Sequence, residues 1–439
     1  MAREMKDSGV EWIGEIPREW EVKRVKSCIS DRTAGNWGED EKNNEDDFIC
    51  IRVADFDYER MRIKKANNYT KRNYNKAIVK KLLLKENDIL IEKSGGGEKT
   101  PVGRTIIFKE KFPALYANFI ERLRVNFNIV NPMFLQYLFV TFYKNKYILN
   151  YIKQTTGIQN LDITSMLANE RVVLPPLEEQ EKIANYLDKK VSDIDLIIEK
   201  TKATIEDYKK YKHSIITEAV TKGINPNVEM KDSGIEWIGE IPREWEVKKL
   251  SEYFFQVKNK NSNLEEKNLL SLSYGKIIRK DINKTDGLLP ENFSNYNIID
   301  KGDIVLRLTD LQNDHKSLRV GLCNEKGIIT SAYITLRIRK PQPTSYFYNY
   351  IHTYDIHKGF YGMGDGVRQS LTYDGLKSFK IILPSLEEQN QIVEYIDKKI
   401  SEIDILITKK EVLIVELEEY KKSLIYECVT GKKEVNENV

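Results

Sequence analysis

The stretch MKDSGVEWIGEIPREWEV, at residues 5–22, returns as MKDSGIEWIGEIPREWEV at residues 230–247. The two copies differ at one position only, where Val10 of the first is replaced by Ile235 of the second. Identity at seventeen of eighteen positions, 225 residues apart, excludes chance similarity. We refer to this stretch as the opening motif, and its recurrence indicates an internal duplication of the chain.

A second pair of repeated segments occupies residues 172–221 and 381–430, at an offset of 209 residues. Both copies contain Leu-Pro, Leu-Glu-Glu-Gln and Asp-Lys-Lys, and both end in Val-Thr. Within each segment a helix is predicted to begin behind a proline, Pro175-Pro176 in the first and Pro384 in the second, because glutamates in the first turn are typical of a helix N-terminus. The predicted order is therefore opening motif, variable block and long helix, twice over.

Apolar residues recur every three or four positions along both repeated segments, for about 40 residues without glycine or proline. This spacing predicts two long helices that pair as an antiparallel coiled coil, related by a pseudo-twofold axis, with the variable blocks at opposite ends. The alternative is that each helix packs only on its own block. The apolar positions are Ile183, Leu187, Val191, Ile194, Ile198, Ile205, Tyr208 and Ile215 in the first helix and Ile392, Ile396, Ile400, Ile403, Ile407, Ile414, Leu417 and Leu424 in the second.

The two variable blocks differ in sequence but keep a common layout. Their matching segments are residues 87–90 and 302–305, residues 122–125 and 335–338, and residues 134–138 and 347–351. The first two matches are predicted to be strands and the third a helix, so the fold class is α+β, with each block rich in short strands. The predicted boundaries are an α+β domain at 1–170, a helix at 171–223, an α+β domain at 224–380, a helix at 381–432 and a tail at 433–439.

Length and composition narrow the class of protein. The chain has 439 residues and a mass of 51.3 kDa, enough for several hydrophobic cores. Its longest uncharged apolar stretch, residues 134–143, contains Gln136 and is too short to cross a bilayer, so no membrane association is expected. The start of the chain has no signal-peptide pattern, and the four cysteines are too far apart for a disulfide framework or a CxxC zinc site. A reduced, metal-free cytoplasmic protein is expected.

The net charge of +3 conceals two basic regions. Residues 25–170 carry a net charge of +6 and residues 251–380 carry +5, whereas the rest of the chain is neutral or acidic. A basic excess confined to the two variable blocks favours an anionic partner that binds those blocks.

A polar loop is predicted after the 87–90 strand and after its 302–305 counterpart. The glycines at residues 95–97 do not form a P-loop, because GxxxxGK[ST] is missing and no helix follows. Lysine, arginine, asparagine and glutamate can each bond to a base edge, so these loops are candidates for base recognition, and solvated connectors are the alternative. The candidates are Lys93, Ser94, Glu98, Lys99 and Arg104 in the first block and Arg307, Asn313, His315, Lys316 and Arg319 in the second.

Two further segments are candidates for contact with nucleic acid. Residues 60–85 hold ten basic residues and no acid, which suits phosphate contact, and Arg62, Lys64 and Lys65 are its chosen candidates. A solvated basic face is the alternative, with partial compensation by the acid-rich residues 39–59. A short turn led by glycine precedes each long helix at the same distance, and its candidates are Gln159 and Asn160 in the first copy and Arg368 and Gln369 in the second.

No catalytic or metal-binding set is predicted. Asn131-Pro132-Met133-Phe134 is similar to the NPP[FY] motif of amino-methyltransferases, but the second copy lacks it and no glycine-rich turn for S-adenosylmethionine exists, so we interpret it as a helix start. Glu-x-Lys at residues 21–23 and 246–248 occurs in nucleases but lacks an acidic partner here. The four histidines belong to no triad or zinc motif.

The duplicated KDSG[VI]EWIGEIPREW, the two variable α+β blocks and the two LPxLEEQ helices together resemble the specificity subunit of type I restriction-modification systems. The resemblance covers nearly the whole chain. It implies that each block is a target-recognition domain for one half of a split double-stranded DNA target, and that the helices form a spacer that binds two methyltransferase subunits. It also implies restriction/translocase subunits as partners, and it assigns catalysis, S-adenosylmethionine, ATP and Mg to the partners rather than to this chain.

Two other classes stay open at this point. The chain could serve a modification-only or related restriction system, which differs in its partners rather than in these residues. It could also be a coiled-coil assembly factor without a DNA role, which the basic charge of the two blocks disfavours. Salt-dependent binding to duplex DNA distinguishes a recognition subunit from an assembly factor.

Overall fold

The computed structural model describes residues 3–154, 157–282, 292–311, 318–363 and 370–435. The chain forms two compact units, the first from Met1–Lys202 with Glu411–Val439 and the second from Ala203–Lys410. Each unit contains one opening motif, one α+β module and part of both long helices. The α-helices are α1 (Lys76–Leu82), α2 (Pro132–Lys144), α3 (Ile163–Asn169), α4 (Leu177–Lys222), α5 (Leu250–Tyr253), α6 (Thr344–Ile356), α7 (Tyr373–Leu376) and α8 (Leu386–Val429).

The strands are short, as the sequence predicts. Those of the first unit are β1 (Met5–Asp7), β2 (Glu15–Pro17), β3 (Glu21–Arg24), β4 (Ile29–Ala34), β5 (Asp47–Ile51), β6 (Phe56–Asp57), β7 (Arg62–Ile63), β8 (Lys71–Asn73), β9 (Ile89–Glu92), β10 (Ser94–Gly95), β11 (Thr105–Ile107), β12 (Ala114–Tyr116), β13 (Ile120–Val125), β14 (Ile152–Gln154), β15 (Gln159–Leu161) and β16 (Arg171–Leu174). Those of the second are β17 (Met230–Asp232), β18 (Glu240–Pro242), β19 (Glu246–Lys249), β20 (Phe254–Gln256), β21 (Leu270–Ser273), β22 (Lys276–Arg279), β23 (Asn297–Ile299), β24 (Ile304–Leu306), β25 (Val320–Leu322), β26 (Gly327–Ile329), β27 (Ile334–Ile338) and β28 (Lys380–Leu383).

Both modules are built around the same four-stranded antiparallel sheet. The order is β11-β9-β13-β4 in the first unit and β25-β24-β27-β20 in the second. Helix α2 packs on β11, and α6 packs on β25. The matched segments fall in the central strands β9 and β13 of the first sheet and β24 and β27 of the second, and in helices α2 and α6, so the predicted strands and helix are confirmed in both copies.

The opening motif fastens each module to a long helix. Its last strand pairs with the strand just before the helix, β3 with β16 in the first unit and β19 with β28 in the second. Trp20 is fully buried, and its indole Nε1 donates to Glu179 at 3.1 Å. Trp245 donates to Glu388 at 2.8 Å in the second copy. The repeated tryptophan and the repeated Leu-Glu-Glu-Gln thus form the same partly buried contact in both copies, in which the indole N–H has a carboxylate acceptor.

The long helices begin behind Pro175-Pro176 and Pro384, as the proline signals predict. The predicted boundaries of the helical segments, 171–223 and 381–432, also include a few residues before the prolines, and these residues belong to strands β16 and β28. The apolar residues before the prolines pair with the opening motif, and proline, which disfavours a helical conformation in the residue before it, separates each strand from the helix. Helices α4 and α8 then run for 46 and 44 residues.

Within each unit, parts of α4 and α8 are in contact. In the first unit Lys421 of α8 donates to Asp195 of α4 at 2.5 Å, and Leu424 and Ile425 share a core with Ile183 to Ile198 of α4. In the second unit Lys212 of α4 pairs with Asp404 of α8 at 2.8 Å. The compact units therefore cut across the division predicted from sequence, because each long helix contributes to both. Among the described residues, no helix combines the length and the hydrophobicity needed to span a bilayer.

Candidate nucleic-acid interface

A small sheet in the first unit joins two of the predicted candidate segments. Its order is β10-β15-β14, with Ser94 opposite Asn160 and Gly95 opposite Gln159. The backbone N–H of Leu161 also donates to the carbonyl of Lys93 at 2.9 Å. The loop after the central strand and the turn before the long helix, separate in sequence, therefore form one surface.

The side chains of this sheet divide into exposed and buried groups. Glu98, Lys99 and Asn160 are exposed, and the hydroxyl of Ser94 donates to the Asn160 Oδ1 at 2.6 Å. Gln159 is only 7% exposed, and its Oε1 accepts from the backbone N–H of Val102 at 3.2 Å. Gln159 thus holds the loop in place, whereas the exposed groups face solvent.

Arg104 is occupied at the base of the same loop. Its Nε and Nη2 donate to Glu92 at 3.0 and 2.8 Å, and its guanidinium lies 3.6 Å from the ring centroid of Tyr58. The hydroxyl of Tyr58 donates to Glu92, and burial, followed by the charge of Glu92, raises the pKa of Tyr58. Sequence reasoning missed Glu92 and Tyr58, because neither has a local signal that marks it as a partner of Arg104.

The basic residues 60–85 are partly compensated. Arg62 lies 3.6 Å from Asp188 of α4, and Arg60 pairs with Glu199 of the same helix at 2.8 Å. Lys64 donates to the carbonyl of Ala54 at 2.9 Å, and Lys65 is exposed. The acids that compensate this run therefore come from α4 as well as from residues 39–59, where Asp57 also pairs with Arg60.

A cavity of about 760 Å³ lies beside this region in the first unit. Its walls include Lys99 and Arg104 from the loop, Arg60 from the basic run, and Lys202 and Lys422 from the long helices. Acidic side chains are interleaved with these cations, so the cavity is not a simple anion site.

In the second unit, Arg319 is fully buried. Its Nη1 donates to the carbonyls of Arg307 and Thr309 at 3.1 and 2.8 Å, and its Nη2 donates to that of Asp310 at 3.3 Å. Burial of a guanidinium is tolerated here because carbonyl oxygens accept its N–H groups. Arg319 was expected at the DNA surface but lies inside the loop that follows β24, and Arg307 is partly buried beside it. Asn313, His315, Lys316, Arg368 and Gln369 lie outside the described residues.

One ion pair occurs at the same place in both modules. Arg124 donates to Asp88 through two contacts of 2.9 Å, and Arg337 donates to Asp303 at 2.8 and 2.7 Å. Both aspartates are about 2% exposed, and the Asp88 carboxylate raises the pKa of Arg124. These residues recur in the two blocks because they join neighbouring strands of the central sheet.

The described residues hold no group of three or more His, Cys, Asp or Glu side chains that could bind a metal ion. All four cysteines are buried, and burial raises the pKa of Cys28 and Cys323 to about 11. Their thiols are therefore protonated at neutral pH and poorly suited to act as nucleophiles.

Two similar modules with polar loops, each joined to long helices, define the class as a duplicated recognition protein. The profile of the type I restriction modification DNA specificity domain matches residues 17–207 and 242–414. The chain belongs to this family. It is a DNA-recognition subunit of a type I restriction-modification system and a non-catalytic one.

Two proteins of Methanocaldococcus jannaschii are similar along most of the chain. One, named for the specificity subunit of the MjaX type I restriction enzyme, is 28% identical over 434 residues, which cover 96% of this chain and 95% of that protein. The MjaVIII type I restriction enzyme specificity subunit is 28% identical over 376 residues, 80% of each.

Two solved structures share the fold. A chain from a structure concerned with complex assembly and conformational transition of the type I R-M system has a TM-score of 0.69 at 15% identity, covering 95% of this chain and 99% of that one. The HsdS subunit from Thermoanaerobacter tengcongensis has a TM-score of 0.54 at 14% identity, covering 95% and 98%.

Proposed function

We propose that each α+β module recognises one half of an asymmetric, bipartite DNA target. The observation that carries this proposal is the β10-β15-β14 sheet, which joins two polar segments that both have counterparts in the second copy. Because the two modules differ in sequence at these segments, the two half-sites should differ as well.

Base recognition is assigned to the polar groups of the loops that reach solvent. In the first module these are the exposed Glu98, Lys99 and Asn160 and the half-buried Lys93 and Ser94, whose donors and acceptors match the polar edges of bases in the major groove. Arg62, Lys64 and Lys65 are assigned to phosphate contact, and Arg307, Asn313, His315, Lys316, Arg368 and Gln369 to the second half-site. Arg104, Gln159 and Arg319 hold their loops from within, because their polar groups are used inside the protein.

The long helices are assigned to an antiparallel coiled coil that sets the distance between the half-sites. The ion pairs support this pairing, because 17 residues separate Asp195 from Lys212 along α4, and 17 separate Lys421 from Asp404 in the opposite direction along α8. Apolar side chains stay exposed on α8, among them Ile405, Val412 and Val415, so the coil has surface left for partner subunits.

The partners act with this chain on DNA. We assign two methyltransferase subunits to the helices, one for each repeat, and restriction/translocase subunits to the full complex. S-adenosylmethionine, ATP and Mg would be bound by these partners, and the complex would work in the cytoplasm.

The test is to map methylated adenine across the host genome with and without this gene. A split, asymmetric motif that disappears on deletion is the expected result. The proposal is contradicted if no motif disappears and the purified chain shows no salt-dependent binding to duplex DNA. That result would favour an assembly factor.

A substitution at Asn160 tests whether the first module recognises one of the two half-sites. Asn160→Ala should relax the base preference about 10-fold at one position of one half-site and leave the other half-site unchanged. Asn128→Ala is the matched control. Asn128 is also exposed, but it lies after the C-terminal end of β13, whereas the loop contacts Phe119 just before the N-terminal end of that strand. Equal behaviour of the two variants would remove the β15 segment from the recognition surface.

A further inference from the structure

Phe119 is an exposed aromatic residue beside the proposed recognition loop. It is 49% exposed, immediately before β13. Its backbone carbonyl accepts from the N–H of Lys93 at 2.8 Å and from that of Ser94 at 3.4 Å. The ring therefore belongs to a turn that is held directly against the segment to which base recognition is assigned.

The turn itself has no need of an aromatic side chain. The N–H of Ile120 donates to the carbonyl of Ala117 at 3.0 Å, which closes a β-turn with Asn118 and Phe119 at its centre. Turns of this kind favour small polar residues, and an exposed ring adds nothing to their hydrogen bonding.

The second module shows the same turn without the ring. The N–H of Tyr333 donates to the carbonyl of Thr330 at 3.2 Å, at the equivalent place before β27. The residue that corresponds to Phe119 is Ala332, which is also exposed. The same backbone is thus formed with a methyl group where the first module has a phenyl ring, so the ring is not a requirement of the fold.

We propose that Phe119 is a specificity-determining residue of the first module and packs against the C5-methyl group of a thymine in the major groove. The groups around it, Lys93, Ser94 and Asn160, are hydrogen-bonding groups, which suit the polar positions of base edges. The thymine methyl is the apolar group that a base pair presents in that groove, and an apolar side chain is its natural partner. Ala332 is too short to make the same contact, so this thymine would be recognised in one half-site only. The inference rests on the proposed function and names one contact of the same surface.

The experiment removes the methyl group and the ring separately. The complex of this chain with its methyltransferase subunits is assayed on duplexes that carry the bipartite motif, with each thymine of both half-sites replaced in turn by deoxyuridine. For the wild type, one replacement in one half-site should weaken binding about 5-fold. For Phe119→Ala, binding to the thymine duplex should fall by a similar factor, and the deoxyuridine replacement should have no further effect.

Phe127→Ala is the matched control, because Phe127 is 55% exposed and lies beyond the other end of β13. It should keep the wild-type penalty for deoxyuridine, and all three proteins should melt at similar temperatures. The inference is overturned if no thymine replacement affects the wild type, or if Phe119→Ala keeps the full penalty. Failure of the proposed function is distinguishable, because the wild-type complex would then show no bipartite motif at all.

Discussion

His352 is a buried, neutral histidine in α6. It is 9% exposed, and its ring stacks on Tyr348 with centroids 5.3 Å apart. Among the described residues, its Nδ1 has no hydrogen-bond partner. Burial, with a smaller effect of nearby His213, lowers the pKa of His352 from 6.5 to about 4. The folded protein therefore resists protonation at this site.

The stability of the second unit should depend on this residue between pH 6.5 and 4. In that range the unfolded chain binds a proton at His352 and the folded chain does not, so stability is present above the unfolded pKa and is lost as the pH falls. The loss by pH 4 should be roughly 2 to 3 kcal/mol. Urea unfolding from pH 7 to pH 4 measures it, with His352→Gln as the variant that cannot titrate. Parallel pH profiles of the two proteins would contradict the assignment, as would an ordinary pKa in a histidine NMR titration.

The role of a residue was predictable from the sequence where that role depends on its neighbours along the chain. Asn131-Pro132 was interpreted as a helix start, and Asn131 does accept from the N–H groups of Met133 and Phe134 at the beginning of α2. The burial of Gln159 and Arg319 was not predictable, because polar residues in a polar loop are normally exposed. Most of their hydrogen-bond partners are backbone groups, which leave no trace in the sequence.

At the scale of elements, the ion pair of Arg104 with Glu92 closes the loop between β9 and β11. The Glu92 side chain is 3% exposed and that of Arg104 is 24% exposed. Arg104→Met would leave the Glu92 carboxylate buried without a counter-charge, which costs about 3 kcal/mol of unfolding free energy. Glu92→Leu combined with Arg104→Met should recover most of that loss, since no charge then stays buried.

A double-mutant cycle by urea unfolding checks this prediction. The control pair is Arg18 with Glu4, whose side chains are 71% and 75% exposed. Arg18→Ala should change the unfolding free energy by less than about 1 kcal/mol, because solvent screens an exposed pair. Equal effects of Arg104→Met and Arg18→Ala would show that the loop is not anchored by this pair.

The elements themselves divide into predictable and unpredictable ones. The central strands and the long helices were predicted because their apolar periodicity is local. The pairing of β10 with β15 was not, since Ser94 and Asn160 are 66 residues apart and a two-residue strand has no alternation to recognise. Strands β16 and β28 were not predicted as strands, because a short apolar run before proline is compatible with either structure and their partners, β3 and β19, lie far away in the sequence.

For the whole molecule, the duplication was enough to predict the order of modules and helices. It could not predict where the compact units divide, at Lys202 of α4 and Lys410 of α8, because that follows from which side chains meet after folding. The charge of the two blocks indicated an anionic partner, but many of those charged side chains form ion pairs within the protein, such as Arg62 with Asp188.

The proposed coiled coil leads to a prediction about target spacing. One heptad inserted into α4 between Asp195 and Lys212, and one into α8 between Asp404 and Lys421, would keep both ion pairs and the apolar register. Seven helical residues add about 10 Å to the coil. Since base pairs are spaced by about 3.4 Å, the gap between the half-sites should grow by about three base pairs, with both half-sites unchanged.

Genome-wide mapping of methylated adenine in a strain that carries the lengthened gene measures this gap. The control places the same seven residues between Gly223 and β17, outside the helix, where they add no length to the coil. That control should keep the original gap, because the loop can accommodate extra residues at low cost. If the lengthened coil also keeps the original gap while still methylating DNA, the helices do not set the spacing, and contacts between partner subunits must fix it instead.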